Sequence, residues 1–376
     1  MKSFFPSLRS ASKKSVSSAS HGGAVDRLLL LVIIALCGFG LLIVYDASVA
    51  IAIRDFNNPL YFIQEQGKWL LIGGVILLFF SRFDYRRLYG LAVPLLMSTI
   101  LLLFAVFLPG LGVAALGARR WVDFHFFVLQ PAEFAKLSLV IYLAAWLSRP
   151  EKERLNAFLL LLGMVVGLVI LEPDLGTAII LVGIAVVLYF FSGAPIRHFV
   201  LLLPIITIVL FILAIAAPYR FARLTTFLHP EADTQGAGYQ MHQSLLAIGS
   251  GGWFGIGVGE SRQKYEYLPE ANTDSIFAII GEETGFFGAM GVAIVYLFIV
   301  WRGYRIATRV SQPFGRLLAL GISSWIGIQS TINIGAMVAL LPLTGVPLPF
   351  ISYGGSSLIV ILAATGILLN ISRERN

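Results

Sequence analysis

Residues 28–53 read LLLLVIIALCGFGLLIVYDASVAIAI, an apolar run whose one formal charge is Asp46. A lipid core of about 30 Å is crossed by roughly 20 apolar residues in a helix. A signal-peptide core takes only about 7–15. This run therefore reads as a spanning helix that the chain keeps. The same length test, carried outward, finds further runs at 67–81, 88–108, 129–147, 156–171, 175–192, 198–217, 275–301, 317–340 and 352–371. In lipid, every backbone amide must be satisfied within its own segment, which a helix achieves. No stretch alternates apolar and polar residues as a membrane barrel requires. The fold class expected is an all-α polytopic membrane protein of about ten transmembrane helices.

Composition agrees. The 376 residues are 58% hydrophobic and 12% charged, with a mean hydropathy of +0.86. Soluble domains carry roughly 25% charged residues, so this chain has too little polar surface to face water. The net charge of +7 does not indicate nucleic acid, because the basic residues sit in short loops between apolar runs and no basic stretch is interleaved with aromatics. They read as topology signals, and the lipid bilayer is the partner. Lys and Arg crowd onto one set of alternate stretches: residues 1–27, Arg82 to Arg87, Arg149 to Arg154, Arg197, Arg302 to Arg316, and Arg373 and Arg375. That bias puts both termini in the cytoplasm and makes the number of spans even. The lone Cys37 forms no disulfide within the chain and fits no zinc pattern.

Residues 1–26 are Ser-rich and basic and read as a disordered cytoplasmic tail. Residues 27–372 form a single transmembrane domain. Its large extracytoplasmic loop, 218–273, lies between helices seven and eight. It contains Leu245-Leu246-Ala247-Ile248 and Trp253-Phe254, so it is expected to fold back on the membrane surface. The run from Gly249 to Gly259 is glycine-dense without a strand–turn–helix setting, and a tight re-entrant turn is expected.

Ionisable groups within a membrane are costly, at roughly 2.5–3.5 kcal/mol near mid-helix, and need partners, water or a function. Glu133 and Lys136, three apart in Gln130-Pro131-Ala132-Glu133-Phe134-Ala135-Lys136, share a helix face. They form either a structural ion pair or the lining of a polar cavity. In Glu172-Pro173-Asp174-Leu175-Gly176-Thr177, Asp174 is placed to cap a helix, and Glu172 reads as exposed. Asp274, where the long loop becomes a helix, is either another cap or a reactive carboxylate. Arg119, Arg120, Arg262 and Lys264 lie on the same side, and arginine pairs suit phosphate through bidentate hydrogen bonds. His21, His125, His198, His229 and His242 do not cluster at ligand spacing. No metal-ligand cluster is evident. No cofactor is expected, and only a divalent cation stays open.

These blocks have a familiar order. Asn333-Ile334-Gly335, then Leu341-Pro342-Leu343-Thr344-Gly345-Val346-Pro347-Leu348-Pro349-Phe350-Ile351-Ser352-Tyr353-Gly354-Gly355-Ser356-Ser357, closely resembles the signature of the FtsW/RodA/SpoVE (SEDS) family. Gly117 to Trp121 with Gln130 to Lys136, Glu172 to Thr177, and Tyr239-Gln240 through Glu283 resemble it too, so the likeness covers nearly all of the chain after residue 26. Arg119-Arg120-Trp121, Ser261 to Lys264 and Tyr267 to Ala271 look like the division branch, FtsW. Ala132, Glu172, Ser275, Ala339 and Asp46 depart from the usual pattern.

The resemblance implies a peptidoglycan glycosyltransferase in the bacterial cytoplasmic membrane, at the division septum. Its substrate would be lipid II. Its partners would be a class B penicillin-binding protein transpeptidase and other divisome membrane proteins, with no nucleic acid. The family's essential external aspartate maps onto Asp274, as a general base. Its cavity charges map onto Glu133, Lys136 and Asp174, and the external cations Arg119, Arg120, Arg262 and Lys264 would face the leaving pyrophosphate. The alternatives are a lipid II flippase, with Glu133, Lys136 and Asp174 along a polar path, or an elongation or sporulation polymerase.

Overall fold

The computed structural model describes residues 23–115, 118–124, 127–149, 154–228, 238–265 and 267–374. Residues 1–22 of the expected tail and residues 229–237 of the long loop lie outside the described residues. The helices are α1 (Arg27–Phe56), α2 (Tyr61–Arg82), α3 (Leu88–Ala105), α4 (Pro131–Leu147), α5 (Leu155–Leu171), α6 (Leu175–Phe191), α7 (Ile196–Ile215), α8 (Pro218–Leu228), α9 (Tyr239–Gly251), α10 (Ile276–Ala307), α11 (Pro313–Met337) and α12 (Gly355–Ile371). Each of the ten apolar runs has its helix, and α8 and α9 lie within the long loop. The protein is an all-α polytopic membrane protein. Among the described residues six helices have the length and apolarity to cross a membrane, namely α1, α2, α3 with the turn before it, α7, α10 and α11. The apolar helices α5, α6 and α12 are shorter.

Local sequence explains the ends. Asp26 caps α1 by accepting from Leu29 N at 3.1 Å, and Asn57 closes it in the left-handed region. Pro131 and Pro313 occupy first-turn positions, where a missing N–H costs nothing. The central helix is α11, which buries Trp325, Gln329 and Asn333 and packs against α4, α6, α9 and α10. Where α2 crosses α12, a β-carbon on Gly366 would come within 2.5 Å of the Leu77 carbonyl. Such close approach is how small residues drive helix contacts in lipid.

The two ends of the described chain meet. Asp26 N donates to Ser372 Oγ at 3.0 Å, Arg302 pairs with Asp26 at 2.5 Å, and Arg86 pairs with Glu374 at 3.0 Å. Both ends therefore lie at one end of the bundle. The opposite end carries α8, α9, the 338–354 segment and the junctions before α4, α6, α10 and α12.

That opposite end holds a feature the sequence reading lacks. Gly112–Ala115 (β1), Ala118–Asp123 (β2) and Val128–Leu129 (β3) form a three-stranded antiparallel sheet, with Val113 opposite Trp121 and Val122 opposite Leu129. The helical runs expected to reach residue 108 and to begin at 129 stop at Ala105 and start at Pro131 instead. Gly110 in the left-handed region turns the chain into β1.

The glycine-dense run does turn back into the bundle. In an unbroken helix the carbonyls of Glu282 and Glu283 would accept from Phe286 and Phe287. Here they accept from Ile256 N and Gly257 N, both at 3.1 Å. Phe286 N and Phe287 N donate to Gly252 O and Trp253 O at 2.8 and 3.3 Å. The loop thus inserts into the ladder of α10, and Gly285 bends at φ 65°. The exchange gives each of these four carbonyls and four amides a partner, the condition for non-helical backbone within a membrane protein.

Candidate active site

The blocks that are far apart in sequence meet at the end of the bundle away from the termini. Gln130, just before α4, donates from Nε2 to Asp174 Oδ2 at 3.4 Å and from its backbone N to Ser356 Oγ at 3.2 Å. A β-carbon on Gly176 would stand 2.6 Å from the Thr344 carbonyl. One placed on Gly345 would stand 3.7 Å from Asp274 Oδ2 and 3.9 Å from Arg223 Nη1. Residues 343–346 therefore wedge between the start of α6 and the start of α10.

Asp274 is held through its backbone. Asn333 Nδ2, on α11, donates to the Asp274 carbonyl at 2.7 Å and to the Val346 carbonyl at 2.8 Å. Next to it, Ser352 Oγ donates to Thr273 O at 2.5 Å and Tyr353 N donates to Asn272 O at 2.8 Å. The Asp274 side chain is 8% exposed. Gln240 Nε2, on α9, reaches its two oxygens at 3.3 and 3.4 Å and Ser275 Oγ at 2.9 Å. Burial, with the charge of Glu270, pushes the carboxyl up to about 6, against the hydrogen bond from Gln240 and the charge of Arg223. The N-cap of α10 is Ser275, and no side chain caps that helix. Asp174 differs. It accepts from Thr177 N at 2.9 Å and from Thr177 Oγ1 at 2.8 Å, and so caps α6. Of the two aspartates, one is occupied as a cap and the other is not.

Glu133 and Lys136 pair at 2.8 Å with side chains 2% and 0% exposed. Lys136 also donates to Gln329 Oε1 at 2.9 Å and lies 5.3 Å from the centre of the Trp325 ring. Gln329 Nε2 donates to Pro347 O at 2.8 Å, so the pair is tied through α11 to the 338–354 segment.

The four cations have separate fates. Arg120, on β2, donates from Nε to Glu172 O at 3.2 Å and from Nη2 to Pro173 O at 2.5 Å, clasping the α5–α6 break. Lys264 is 2% exposed and pairs with Asp46 at 2.7 Å and Glu283 at 3.6 Å. Asp46, one of the departures from the family pattern, thereby joins α1 to the long loop. Arg119 and Arg262 are exposed. Glu172, expected to be exposed, is 0% exposed. Arg120 binds its backbone carbonyl from a position 52 residues earlier, a contact that no local pattern announces. Its burial and the nearby Asp174 push its carboxyl up to about 9, against the charge of Arg120.

Sequence reasoning missed Arg223, Gln240, Gln329 and Asn333 as site residues. Arg223 stands on α8, donates to Leu343 O at 3.2 Å and is the cation whose charge acts on Asp274. Asn333 sits inside the quoted signature, but nothing in the sequence links it to Asp274. Among the described residues no group of three or more His, Cys, Asp or Glu side chains is arranged to hold a metal.

Comparison with known proteins agrees with this geometry. The family model described as cell cycle protein, FtsW/RodA/SpoVE, matches residues 26–376. The chain is 41% identical over 354 residues to a protein of Geobacter metallireducens named probable peptidoglycan glycosyltransferase FtsW, covering 92% of this chain and 94% of the relative. It is 41% identical to stage V sporulation protein E of Bacillus subtilis, covering 93% and 97%. A solved structure on the coordination of polymerization and crosslinking by a peptidoglycan synthase complex superposes with a TM-score of 0.77 at 30% identity, over 94% of this chain and 98% of that one. The rod shape determining protein RodA of Thermus thermophilus superposes with a TM-score of 0.69 at 31% identity, over the same shares. The chain belongs to the FtsW/RodA/SpoVE family of cell cycle proteins.

Proposed function

We propose that this protein is a peptidoglycan glycosyltransferase that polymerises lipid II, with Asp274 as its general base. The observation that carries this reading is a buried carboxylate at a helix start that caps nothing, beside a cation. The acceptor sugar's 4-hydroxyl attacks the anomeric carbon of the donor, and its proton passes to Asp274. The bond from that carbon to the pyrophosphate breaks, and undecaprenyl pyrophosphate leaves with the electron pair. One base and a good leaving group suffice, and the configuration inverts. A carboxyl near 6 is ionised at neutral pH yet more basic than an ordinary aspartate, which suits the role.

Cations stabilise the charge that develops on the leaving group. Arg119 and Arg262 are exposed and free to approach it, whereas Arg120 and Lys264 hold the fold. Arg223 is the cation whose charge acts on Asp274. The site end faces the outside of the cytoplasmic membrane, and both termini face the cytoplasm. The likeness to a peptidoglycan synthase complex supports a penicillin-binding protein as the crosslinking partner, and the likeness to relatives named FtsW supports work at the septum. This reading calls on no cofactor.

The buried charges speak against the flippase. Glu133 and Lys136 are paired with one another in the core, Lys136 also binds Gln329, and Asp174 caps α6, so their charges are engaged within the fold. Purified protein in detergent, given lipid II alone, is expected to make glycan chains, and Asp274→Asn to make none while melting like wild type. Normal polymerisation by that variant would refute the base. Lipid II scrambling in liposomes without polymerisation would favour the transporter.

A further inference from the structure

A cavity of about 570 Å³ opens at the end of the bundle where the two ends of the described chain meet, opposite the candidate active site. Four arginines line it from three connections: Arg149 and Arg154 between α4 and α5, Arg197 at the start of α7 and Arg316 in the first turn of α11. His198 joins them, and Phe191 and Leu317 give it apolar walls. Among the described residues that line it, none is Asp or Glu. Positive charge in the loops of a membrane protein needs only to lie on the correct side. It has no reason to converge from three connections on one hollow.

The site is built as well as charged. Arg154 is 9% exposed, donates from Nη1 to the Trp146 carbonyl at 2.8 Å and lies 5.5 Å from the Trp146 ring centre. Arg149 donates from Nε to the Tyr89 hydroxyl and sits over that ring at 5.3 Å. The Tyr189 hydroxyl and His198 Nδ1 are hydrogen-bonded at 2.8 Å. These contacts hold two guanidinium groups and the imidazole in place before any ligand arrives. Arg197 and Arg316 stay exposed at the rim.

The geometry points to a binding site for the phosphate headgroup of an anionic phospholipid. Guanidinium groups take phosphate oxygens in pairs. A basic pocket between spanning helices at the headgroup level is where such lipids lodge. The apolar walls separate this ligand from a free phosphate ion, because Phe191 and Leu317 have nothing to gain from the ion and much from an acyl chain. The site does not depend on the glycosyltransferase reading.

The test is native mass spectrometry of the purified full chain in a zwitterionic detergent, with equimolar dioleoyl phosphatidylglycerol and dioleoyl phosphatidylcholine. Wild type should retain phosphatidylglycerol in preference. Arg197→Gln with Arg316→Gln should lower that preference by on the order of thirtyfold, since each arginine near a headgroup contributes about 1 kcal/mol. Arg82→Gln with Arg87→Gln removes the same charge at the same end, from exposed arginines that do not line the cavity, and should leave the preference intact. Equal retention of the two lipids by wild type would overturn the proposal without any variant. Equal losses in both double variants would overturn it too, by showing only general surface charge. A thermal shift reproduced in full by millimolar inorganic phosphate would give the cavity to a soluble anion and sink the lipid.

Discussion

The side-chain amide of Asn333 donates to the main-chain carbonyl of Asp274 at 2.7 Å, from the central helix to the start of another. Its second proton goes to the Val346 carbonyl at 2.8 Å. One amide therefore fixes the distance between the Asp274 junction and the segment packed against it. Asn333→Leu keeps the volume and removes both donors. Two carbonyls would then be buried without partners, at about 1–3 kcal/mol each. The expected outcome is a melting temperature several degrees lower and a polymerisation rate down by tenfold or more. A variant that melts lower but polymerises at the wild-type rate would show that this bond holds the fold and not the base.

As the proposed base, Asp274 must be ionised to take a proton. With its carboxyl near 6, kcat/KM should fall as the pH drops through about 6, by about tenfold per unit below it. The hydrogen bond from Gln240 favours the charged form, so Gln240→Ala should move the midpoint to higher pH. Arg223→Gln should move it the same way, since the arginine's charge also lowers the carboxyl. A rate profile flat down to pH 5, or midpoints that move down in both variants, would remove Asp274 as the titrating base.

The spans were legible because length and apolarity together determine them, and ten apolar runs correspond to ten helices. The helices of the long loop were not. In α8, Arg220 and Arg223 break every apolar run, so the length test passes over it. The small sheet has strands too short to show an alternation. The site was legible where it is charged. Asp274, Glu133 and Lys136 stand out because a charge near lipid demands a reason. Gln240, Gln329 and Asn333 are neutral amides, and only the packing of α9 and α11 shows what they hold. Glu172 misled for the converse reason. A carboxylate before a proline at a helix break reads as solvated until the fold is seen to bury it, with Arg120 clasping its backbone.

The insertion of the 252–257 loop into α10 rests on two glycines. Gly255 has φ 82°, and a β-carbon there would meet the Glu283 carbonyl at 1.9 Å. Gly285 has φ 65°, and its β-carbon would meet Gly255 N at 2.3 Å. The left-handed conformation alone costs a non-glycine residue about 1–2 kcal/mol, and backbone atoms cannot step aside. Gly255→Ala and Gly285→Ala should each lower the melting temperature markedly and abolish polymerisation. Gly249→Ala, in α9 with open space around it, should be neutral or slightly stabilising, as alanine favours a helix by up to about 1 kcal/mol. Matching melting curves for all three would contradict the observed docking.

Glu133 and Lys136 have no solvent to fall back on. Removing one partner leaves the other buried and charged, at about 3–5 kcal/mol. Removing both leaves a neutral site that loses only packing and the link to Gln329. Glu133→Gln and Lys136→Met are therefore each expected to harm stability more than the double variant does. A coupling of at least about 1 kcal/mol should emerge from the cycle. Additive losses would show that the two charges do not depend on one another.

Glu172 is the departure with the clearest physical consequence. Its carboxyl is pushed up to about 9 in the folded protein, against an ordinary value near 4.5 in the unfolded chain. Between those limits the folded state holds a proton that the unfolded state has released. Stability must then fall as the pH rises through that window, by at most about 1.4 kcal/mol per unit. Below about 4.5 both states are protonated and the effect vanishes. Glu172→Gln removes the ionisation and leaves the shape nearly unchanged. Near pH 5 the variant and wild type should melt within a few degrees of each other. Towards pH 8 the variant should gain steadily on wild type. Melting curves for both chains at pH 5, 6, 7 and 8 provide the check. A difference independent of pH would mean that Glu172 is charged in the fold, with Arg120 as its counter-ion and not merely the clasp on its backbone.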